Sequence, residues 1–304
     1  MIISASYRTD IPAFYGDWFI ARLDAGFCRT VNPYGRQVHT VRLDPDAVSG
    51  FVFWTKNLGP FRAAIDVVRD RGFPFVVQYT INDYPRALET SVTDAGRAIG
   101  HMHDLAREFG PRAGVWRYDP VVATSITPPD WHVENFSRLA DRLAGATDEA
   151  VVSFAHVYRK TRVNMDAAAR LHGFAWHDPP DDQKRDLAHR LTAIAADHGM
   201  RLTVCSQEAY LVPGAAPARC IDAERLSDVA GKPIAARRKG NRPGCMCAES
   251  RDIGDYDTCP HGCVYCYAVR TRAAARRRHG AHRPDDPLLS PPLARVEDCS
   301  TKIA

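Results

Sequence analysis

The stretch "GFVFWTKN", residues 50–57, is a short apolar segment that ends in three polar residues, Thr55, Lys56 and Asn57. A continuous apolar run of this length is typical of a strand in a parallel sheet, because such strands are covered on both faces. The polar residues then lie at the C-terminal end of the strand. The stretch therefore predicts a buried parallel strand with functional side chains just beyond it.

The same pattern recurs along the first 208 residues, with amphipathic helical patterns between the segments. The other polar strand ends are Arg8 and Asp10, Gln78 and Asn82, Arg117 and Asp119, His156, and Ser206, Gln207 and Glu208. Alternating strands and helices predict a parallel sheet, either an open doubly wound sheet or a barrel. A barrel brings all these ends to one mouth, whereas an open sheet gathers only those at its switch point. We therefore predict an α/β fold with a full or partial TIM-like (β/α) barrel over residues 1–208.

Two local predictions accompany this fold. The segments "FCRTVN" and "QVHTVRL" flank "PYGR" and predict a hairpin. Asp130 precedes an apolar helical pattern and predicts the N-cap of that helix.

Composition limits the possible functions. The chain has 304 residues, 45% hydrophobic and 25% charged, which is typical of a globular protein. The net charge of +4 allows an anionic ligand but does not require nucleic acid. There is no apolar run of eighteen residues and no recognisable signal peptide, so we expect no membrane association and a cytoplasmic location.

Nine cysteines are many for a cytoplasmic protein, and seven of them lie between residues 205 and 266. A reducing compartment favours metal binding or catalysis over disulfides. Residues 209–304 are therefore predicted to be a cysteine-rich, iron–sulfur segment that packs on the barrel mouth and ends in a basic, Pro-rich tail. Cys28 and Cys299 stand alone and are expected to be inert.

The motif "CPHGCVYCYA", residues 259–268, places Cys259, Cys263 and Cys266 at x3 and x2 spacing. Three thiolates so close together can bind three corners of an iron–sulfur cubane and leave the fourth iron open. Tyr265 would form an aromatic wall beside the last thiolate, and His261 is expected to order the loop.

Four further cysteines remain: Cys205, Cys220, Cys245 and Cys247. Four thiolates are a full ligand set for a second [4Fe–4S] cluster or for zinc. Alternatively, some of them are small buried hydrophobic residues.

The segment Cys259-x3-Cys263-x-Tyr265-Cys266 resembles the cluster motif of the radical S-adenosylmethionine (SAM) superfamily. The resemblance implies a [4Fe–4S] cluster whose open iron binds SAM, and reductive cleavage of SAM to a 5′-deoxyadenosyl radical. It also implies a reductant protein of the flavodoxin or ferredoxin type. In that superfamily the motif usually follows the first strand, whereas here it follows the whole predicted barrel. Either the order is permuted, so that the cluster loop still reaches the barrel mouth, or the cluster has another function.

A second resemblance covers nearly the whole chain. The segments "SYRTDIPAFYGDWF", "FVFWTKN", "RYDP", "CSQE", "CID" and "RDIGDYDTCPHGCVYCYA" are similar to the bacterial family domain of unknown function 1848. This resemblance implies a radical-SAM-like cluster at the C-terminal end and names no substrate.

We expect the polar strand ends to position SAM and a small-molecule substrate. The candidate catalytic residues are Arg8, Asp10, Lys56, Arg117 and Asp119, and the candidate cofactor-binding residues are Thr55, Asn57, Gln78, Glu208 and Tyr265. Asp10 could equally cap the following helix. Arg117 and Asp119 could be an internal salt bridge or could bind a carboxylate.

Two other functions stay open. One is a metal-stapled electron-transfer or binding protein without SAM chemistry. The other is a nucleic-acid repair or modification enzyme, which the basic stretch "VRTRAAARRRHGAHR" would serve. That stretch lacks interleaved aromatic residues for base stacking, so a solvated helix face explains it better.

Overall fold

A computed structural model describes residues 1–33, 35–240 and 242–291, so Cys299 lies outside the described residues. The strands are β1 (Ile2–Ala5), β2 (Phe27–Val31), β3 (Val38–Arg42), β4 (Gly50–Thr55), β5 (Phe75–Thr80), β6 (Gly114–Val121), β7 (Glu149–Phe154), β8 (Arg201–Val204), β9 (Ala216–Pro217) and β10 (Ser250–Asp252). The helices are α1 (Ile11–Phe14), α2 (Gly16–Ala25), α3 (Arg62–Asp70), α4 (Ala95–Phe109), α5 (Pro129–Leu143), α6 (Arg159–His172), α7 (Asp181–Asp197), α8 (Ala223–Ala230) and α9 (Arg272–Gly280). Two short 3-10 helices span Gly59–Phe61 and Glu208–Tyr210.

Eight strands form one parallel sheet in the order β10-β1-β4-β5-β6-β7-β8-β9. The predicted α/β class and its parallel strands are confirmed. The predicted hairpin is also confirmed, because β2 and β3 pair antiparallel as a separate two-stranded sheet. All eight C-terminal strand ends therefore lie along the same edge of the main sheet.

Alternate residues of each strand face opposite sides of the sheet. In β4, Phe51 and Phe53 face the helices, where they contact Phe19 of α2. Trp116 of β6 packs on the same side against Phe136 of α5. These large aromatic side chains explain why the helices cover this face.

The opposite face is lined by one small apolar residue from each of five strands: Ile2, Val52, Val76, Val115 and Val151. It packs against residues that follow β8 and β9, including Cys220, Ile221 and Leu226. The cysteine-rich part of the chain is thus more than an attached segment. It supplies β9 and β10 to the sheet as well as the packing on this face, although a division at residue 208 had been expected.

Helix α8 closes this face near the N-terminal ends of the strands. Its Arg225 is 2% exposed and pairs with Asp148 at 2.7 Å and with Glu149, the first residue of β7, at 2.6 Å. Leu226 lies next to Gly50, the first residue of β4. Because α8 packs near the N-terminal strand ends, a site can form at the C-terminal strand ends.

One local prediction is wrong, and one helix was missed. Asp130 lies inside the first turn of α5 and does not cap it, because Pro129 takes the first helical position, which suits a residue without an N–H. Helix α6 was not predicted, since only three of its residues, Thr161, Met165 and Ala168, are buried. Across the described ranges, none of the helices is long and apolar enough to cross a membrane.

Candidate metal centres

The cysteine loop follows β10, the strand beside β1 at one edge of the sheet. Cys263 forms an antiparallel bridge with Glu89, and the Val264 N–H donates to the Leu88 carbonyl at 3.0 Å. The loop is therefore tied to the segment that follows β5, across the C-terminal ends of β1 and β4.

The loop brings Cys259, Cys263 and Cys266 together, and all three are half-buried. Burial is the main cause that raises the pKa of each thiol, and the Cys263 pKa is raised further by both other cysteines. The Ala268 N–H donates to Cys266 Sγ at 3.3 Å, and the backbone of Asp10 donates to Cys259. N–H groups that point at sulfur are the contacts that tune iron–sulfur clusters.

A buried ion pair lies beside Cys263. Lys56 Nζ is 2.7 Å from Glu89 Oε1, and the Tyr265 hydroxyl donates to the same carboxylate. Asn82 Nδ2 donates to Glu89 and to the Tyr265 hydroxyl, each at 3.2 Å. Burial lowers the pKa of Lys56, but Glu89 and Cys263 outweigh it, so the net pKa is raised. A positive charge is thereby held next to the thiols.

The Asp10 carboxylate contacts the first turn of α1, the segment after β4 and the cysteine loop. One carboxylate oxygen accepts from the Ala13 N–H at 2.9 Å and caps α1. Helix capping was one of the two roles predicted for Asp10. The other oxygen accepts from the Lys56 N–H at 2.7 Å and lies 2.7 Å from His261 Nε2. His261 thus orders the cysteine loop, as expected from the sequence.

Arg8 lies at the end of β1 between two aromatic rings. Its guanidinium is 5.5 Å from the Tyr7 ring centre and 5.2 Å from that of Tyr256. Its Nε is 3.8 Å from Asp252, a buried carboxylate that also accepts from the Ser4 hydroxyl. That Nε is buried and makes no hydrogen bond, and the Asp252 carboxylate is its ionic partner.

The remaining four cysteines also come together, although they belong to three separate segments of the chain. Cys205 and Cys220 lie with their sulfur atoms 3.4 Å apart. Cys220 contacts Cys247, which in turn contacts Cys245. We call these four residues the thiol row.

Two arginines donate to the sulfur atoms of the row. Arg117 Nη1 is 3.0 Å from Cys220 Sγ, and Arg242 Nη2 is 3.3 Å from Cys205 Sγ. Contact with Cys205 lowers the pKa of Cys220, whereas contact with Cys247 and burial raise it, to about 11. Cys247 has a pKa of about 11 as well, because contact with Cys245 and burial outweigh the lowering by Cys220.

The thiol row is connected to the cysteine loop by polar residues at the predicted strand ends: Gln78, Arg117, Asp119 and Asn82. Gln78 donates to the Cys220 carbonyl at 3.0 Å and accepts from Arg117 at 3.1 Å. Arg117 pairs with Asp119 in an internal salt bridge, which was one of the two alternatives for this pair. The Asp119 N–H donates to Asn82 at 3.0 Å, and Asn82 reaches Tyr265.

Three other predicted residues have local or peripheral positions. The Thr55 hydroxyl accepts from the Asn57 N–H at 2.8 Å, and the Asn57 side chain accepts from the Gly59 N–H at 3.2 Å. Both therefore shape the turn after β4. Glu208 is exposed, whereas its neighbour Gln207 turns inward and bonds the backbone of Phe154.

Sequence reasoning missed Glu89, Asp252 and Arg242. Glu89 lies beyond the strand end, seven residues after Asn82, in a loop that only the fold brings back to the site. Asp252 ends β10, which at three residues is too short to give a strand pattern. Arg242 stands among several basic residues, so nothing in its context singled it out.

Neither cysteine set is a preformed cage for one ion. In the described parts of the chain, no three or more His, Cys, Asp or Glu side chains are arranged to hold a metal ion. A cubane differs from a single ion, because each thiolate binds its own iron. The loop residues fit such a group by their chemistry: three adjacent thiols, N–H groups directed at sulfur, and a neighbouring ammonium group.

Comparison with known proteins gives a family and no activity. The profile of the family described as "Domain of unknown function (DUF1848)" matches residues 2–268. No curated protein matches. The crystal structure of dihydropyrimidinase from Brevibacillus agri NCHU1002 is similar at 12% identity and a TM-score of 0.31, over 75% of this chain. This chain spans 43% of the length of that enzyme, and so weak a likeness carries no argument.

Proposed function

The chain belongs to the DUF1848 family, whose description names no activity. We propose, from its residues and from the resemblance of its cysteine motif to the radical SAM superfamily, that it is an iron–sulfur enzyme that cleaves SAM. The observation that carries the proposal is the position of Cys259, Cys263 and Cys266. Their loop lies at the C-terminal strand ends beside Lys56. This edge is where parallel α/β folds carry out chemistry.

The strand order supports a permuted barrel. Strands β9 and β10 lie at opposite ends of the hydrogen-bonded order, yet they are joined by residues that pack on one common face of the sheet. A sheet that curls towards closure, with an open seam between β9 and β10, accounts for both facts. Strand β10 lies beside β1 at one end of the sheet. The cysteine motif follows β10, so it lies near the first strand in space although it comes late in the sequence.

The residues divide into three roles. Cys259, Cys263 and Cys266 would hold a [4Fe–4S] cluster. When reduced, the cluster would supply one electron to cleave bound SAM to methionine and a 5′-deoxyadenosyl radical, which would take a hydrogen atom from the substrate. Tyr265 covers the loop on one side and is fixed by its hydroxyl bond to Glu89. The Arg8 side chain is 18% exposed and would direct its guanidinium group at a carboxylate of SAM or of a small-molecule substrate.

The test is SAM cleavage by protein purified without oxygen. The reduced enzyme, supplied with dithionite or a flavodoxin or ferredoxin system, is expected to release 5′-deoxyadenosine and methionine. Cys263→Ala should abolish both products. The matched control is Cys28→Ala, since Cys28 is buried away from both cysteine sets and that variant should retain the activity.

The same experiment separates the competing function. A metal-stapled protein without SAM chemistry would bind iron or zinc but release no 5′-deoxyadenosine, and Cys263→Ala would mainly lower its stability. Absence of product from iron-loaded, reduced wild-type protein would refute the proposal.

The basic helix α9 gives little support to a nucleic-acid substrate. Arg278 is turned inward, where it donates to Asp255 at 2.5 Å and to the Ser290 hydroxyl at 3.1 Å. Arg272 bonds Ser91 and the Pro260 carbonyl, so it supports the cysteine loop. Arg276 and Arg277 are left exposed, as on an ordinary solvated helix face.

A further inference from the structure

The thiol row has features that chance clustering of small hydrophobic residues does not explain. Its members come from the end of β8, the segment after β9 and the segment before β10. Three segments separated by up to 40 residues in sequence place four sulfur atoms in a continuous row. Cys205, Cys220 and Cys247 are buried among the apolar side chains of the sheet face.

The arginines would complement the negative charge that the row gains when its thiols bind a metal as thiolates. A neutral thiol is a weak hydrogen-bond acceptor, so an apolar pocket for protonated cysteines would not require cationic donors. Here Arg117 donates to one end of the Cys205–Cys220 pair and Arg242 to the other. Four thiolates around a divalent ion bear a net charge of about −2, which Arg242 and Arg117 can offset in part, since Arg117 is also paired with Asp119.

We propose that Cys205, Cys220, Cys245 and Cys247 form a second metal centre, a closed four-thiolate site with Arg117 and Arg242 as its charge-compensating donors. Its ligand is a thiophilic metal, either one zinc ion or an iron–sulfur cluster. Four protein ligands leave no open position, so this centre holds the segments together or carries electrons and does not bind substrate. Binding of a single ion would require the thiols to turn from their row towards a common centre. This inference does not depend on the proposed SAM chemistry.

The decisive protein is a variant without the first cysteine set, with Cys259→Ala, Cys263→Ala and Cys266→Ala combined. Purified without oxygen, it is expected to retain about one metal centre per chain. Zinc without labile sulfide identifies a single ion, and iron with matching sulfide identifies a cluster; both support the site. Adding Cys220→Ala and Cys247→Ala should remove that metal. A folded triple variant that contains no metal and takes up neither zinc ion nor iron with sulfide would overturn the proposal.

A second experiment leaves all cysteines in place, so it does not depend on the triple variant folding. Arg242→Gln removes one donor to the row and should weaken metal retention on the order of 10- to 100-fold in chelator competition. Only the metal of the second centre should be released earlier. The matched control is Arg238→Gln, an exposed arginine of the same segment, which should behave as wild type. Identical release profiles for Arg242→Gln and Arg238→Gln would count against the site.

Discussion

At the scale of single residues, the cysteine loop depends on a buried pair of opposite charges. The side chains of Lys56 and Glu89 are 13% and 3% exposed, and their charged atoms lie 2.7 Å apart. Loss of one partner leaves the other charge in a place that water reaches poorly. The pair therefore sets the electrostatic environment of Cys263 and also contributes to stability.

We predict that Lys56→Met lowers the free energy of unfolding by about 3 kcal/mol, because Glu89 keeps its burial but loses its counter-charge. Glu89→Gln should restore part of this loss in the double variant, as denaturant titration of all four proteins would show. The control is Arg62→Met, which breaks an exposed pair with Glu108 and should cost about 1 kcal/mol or less. A Lys56→Met protein as stable as Arg62→Met would contradict the prediction.

At the scale of elements, α5 is joined to β6 by a buried histidine. His132 lies 2.8 Å from the Tyr118 hydroxyl and 3.1 Å from the Val122 carbonyl. The carbonyl can only accept, so Nε2 carries the proton and Nδ1 accepts from Tyr118. Burial lowers the pKa of His132 to about 4, so the histidine is neutral in the folded protein near pH 7.

This shift predicts a loss of stability in mild acid. The ordinary histidine pKa is about 6.5, so between that pH and about 4 the unfolded chain binds more protons than the folded chain. The contribution of His132 is therefore present above pH 6.5 and decreases as the pH falls, by about 2 kcal/mol at pH 5.

The measurement is the free energy of unfolding at several pH values between 7 and 5. His132→Gln should be less stable than wild type at pH 7 but should lose less stability on acidification. The control is His189→Gln, which changes an exposed histidine of α7 and should keep the wild-type slope. Parallel curves for wild type and His132→Gln would show that this histidine is not the titrating group.

At the scale of the whole molecule, both cysteine sets connect parts of the chain that are distant in sequence. The loop at residues 259–266 is bonded to the segment after β5, and the thiol row joins the end of β8 to the segments beside β9 and β10. Metal binding at such sites adds to the free energy of folding, because the unfolded chain does not hold the ligands together.

We therefore predict that metal removal destabilises the entire sheet. A metal present at 1,000 times its dissociation constant stabilises the native state by about 4 kcal/mol. Chelator treatment without oxygen should lower the unfolding midpoint of the wild type. The variant with Cys220→Ala and Cys247→Ala should have a lower unfolding midpoint before chelator is added. Chelator should then lower that midpoint by less than in the wild type, since only the first cysteine set of this variant can lose metal. Equal midpoints with and without chelator would mean that neither set binds metal in the folded protein.

The sequence by itself determined the parallel α/β class, the hairpin of β2 and β3, and the identity of the seven clustered cysteines. These features depend on local pattern: apolar runs of strand length, amphipathic helices and close thiol spacing. The helix-capping choice for Asp10 and the internal pairing of Arg117 with Asp119 were each one of two alternatives, which contacts alone could separate.

Only the tertiary structure decided which distant residues meet. It placed β10 beside β1, brought Glu89 to Lys56, and directed Arg242 at Cys205. It also made the cysteine-rich part of the chain a contributor to the sheet. The physical reason is that these contacts join residues 33 to 248 positions apart. Local propensity carries no information about such pairs, and they form because the two faces of the sheet must be buried at once.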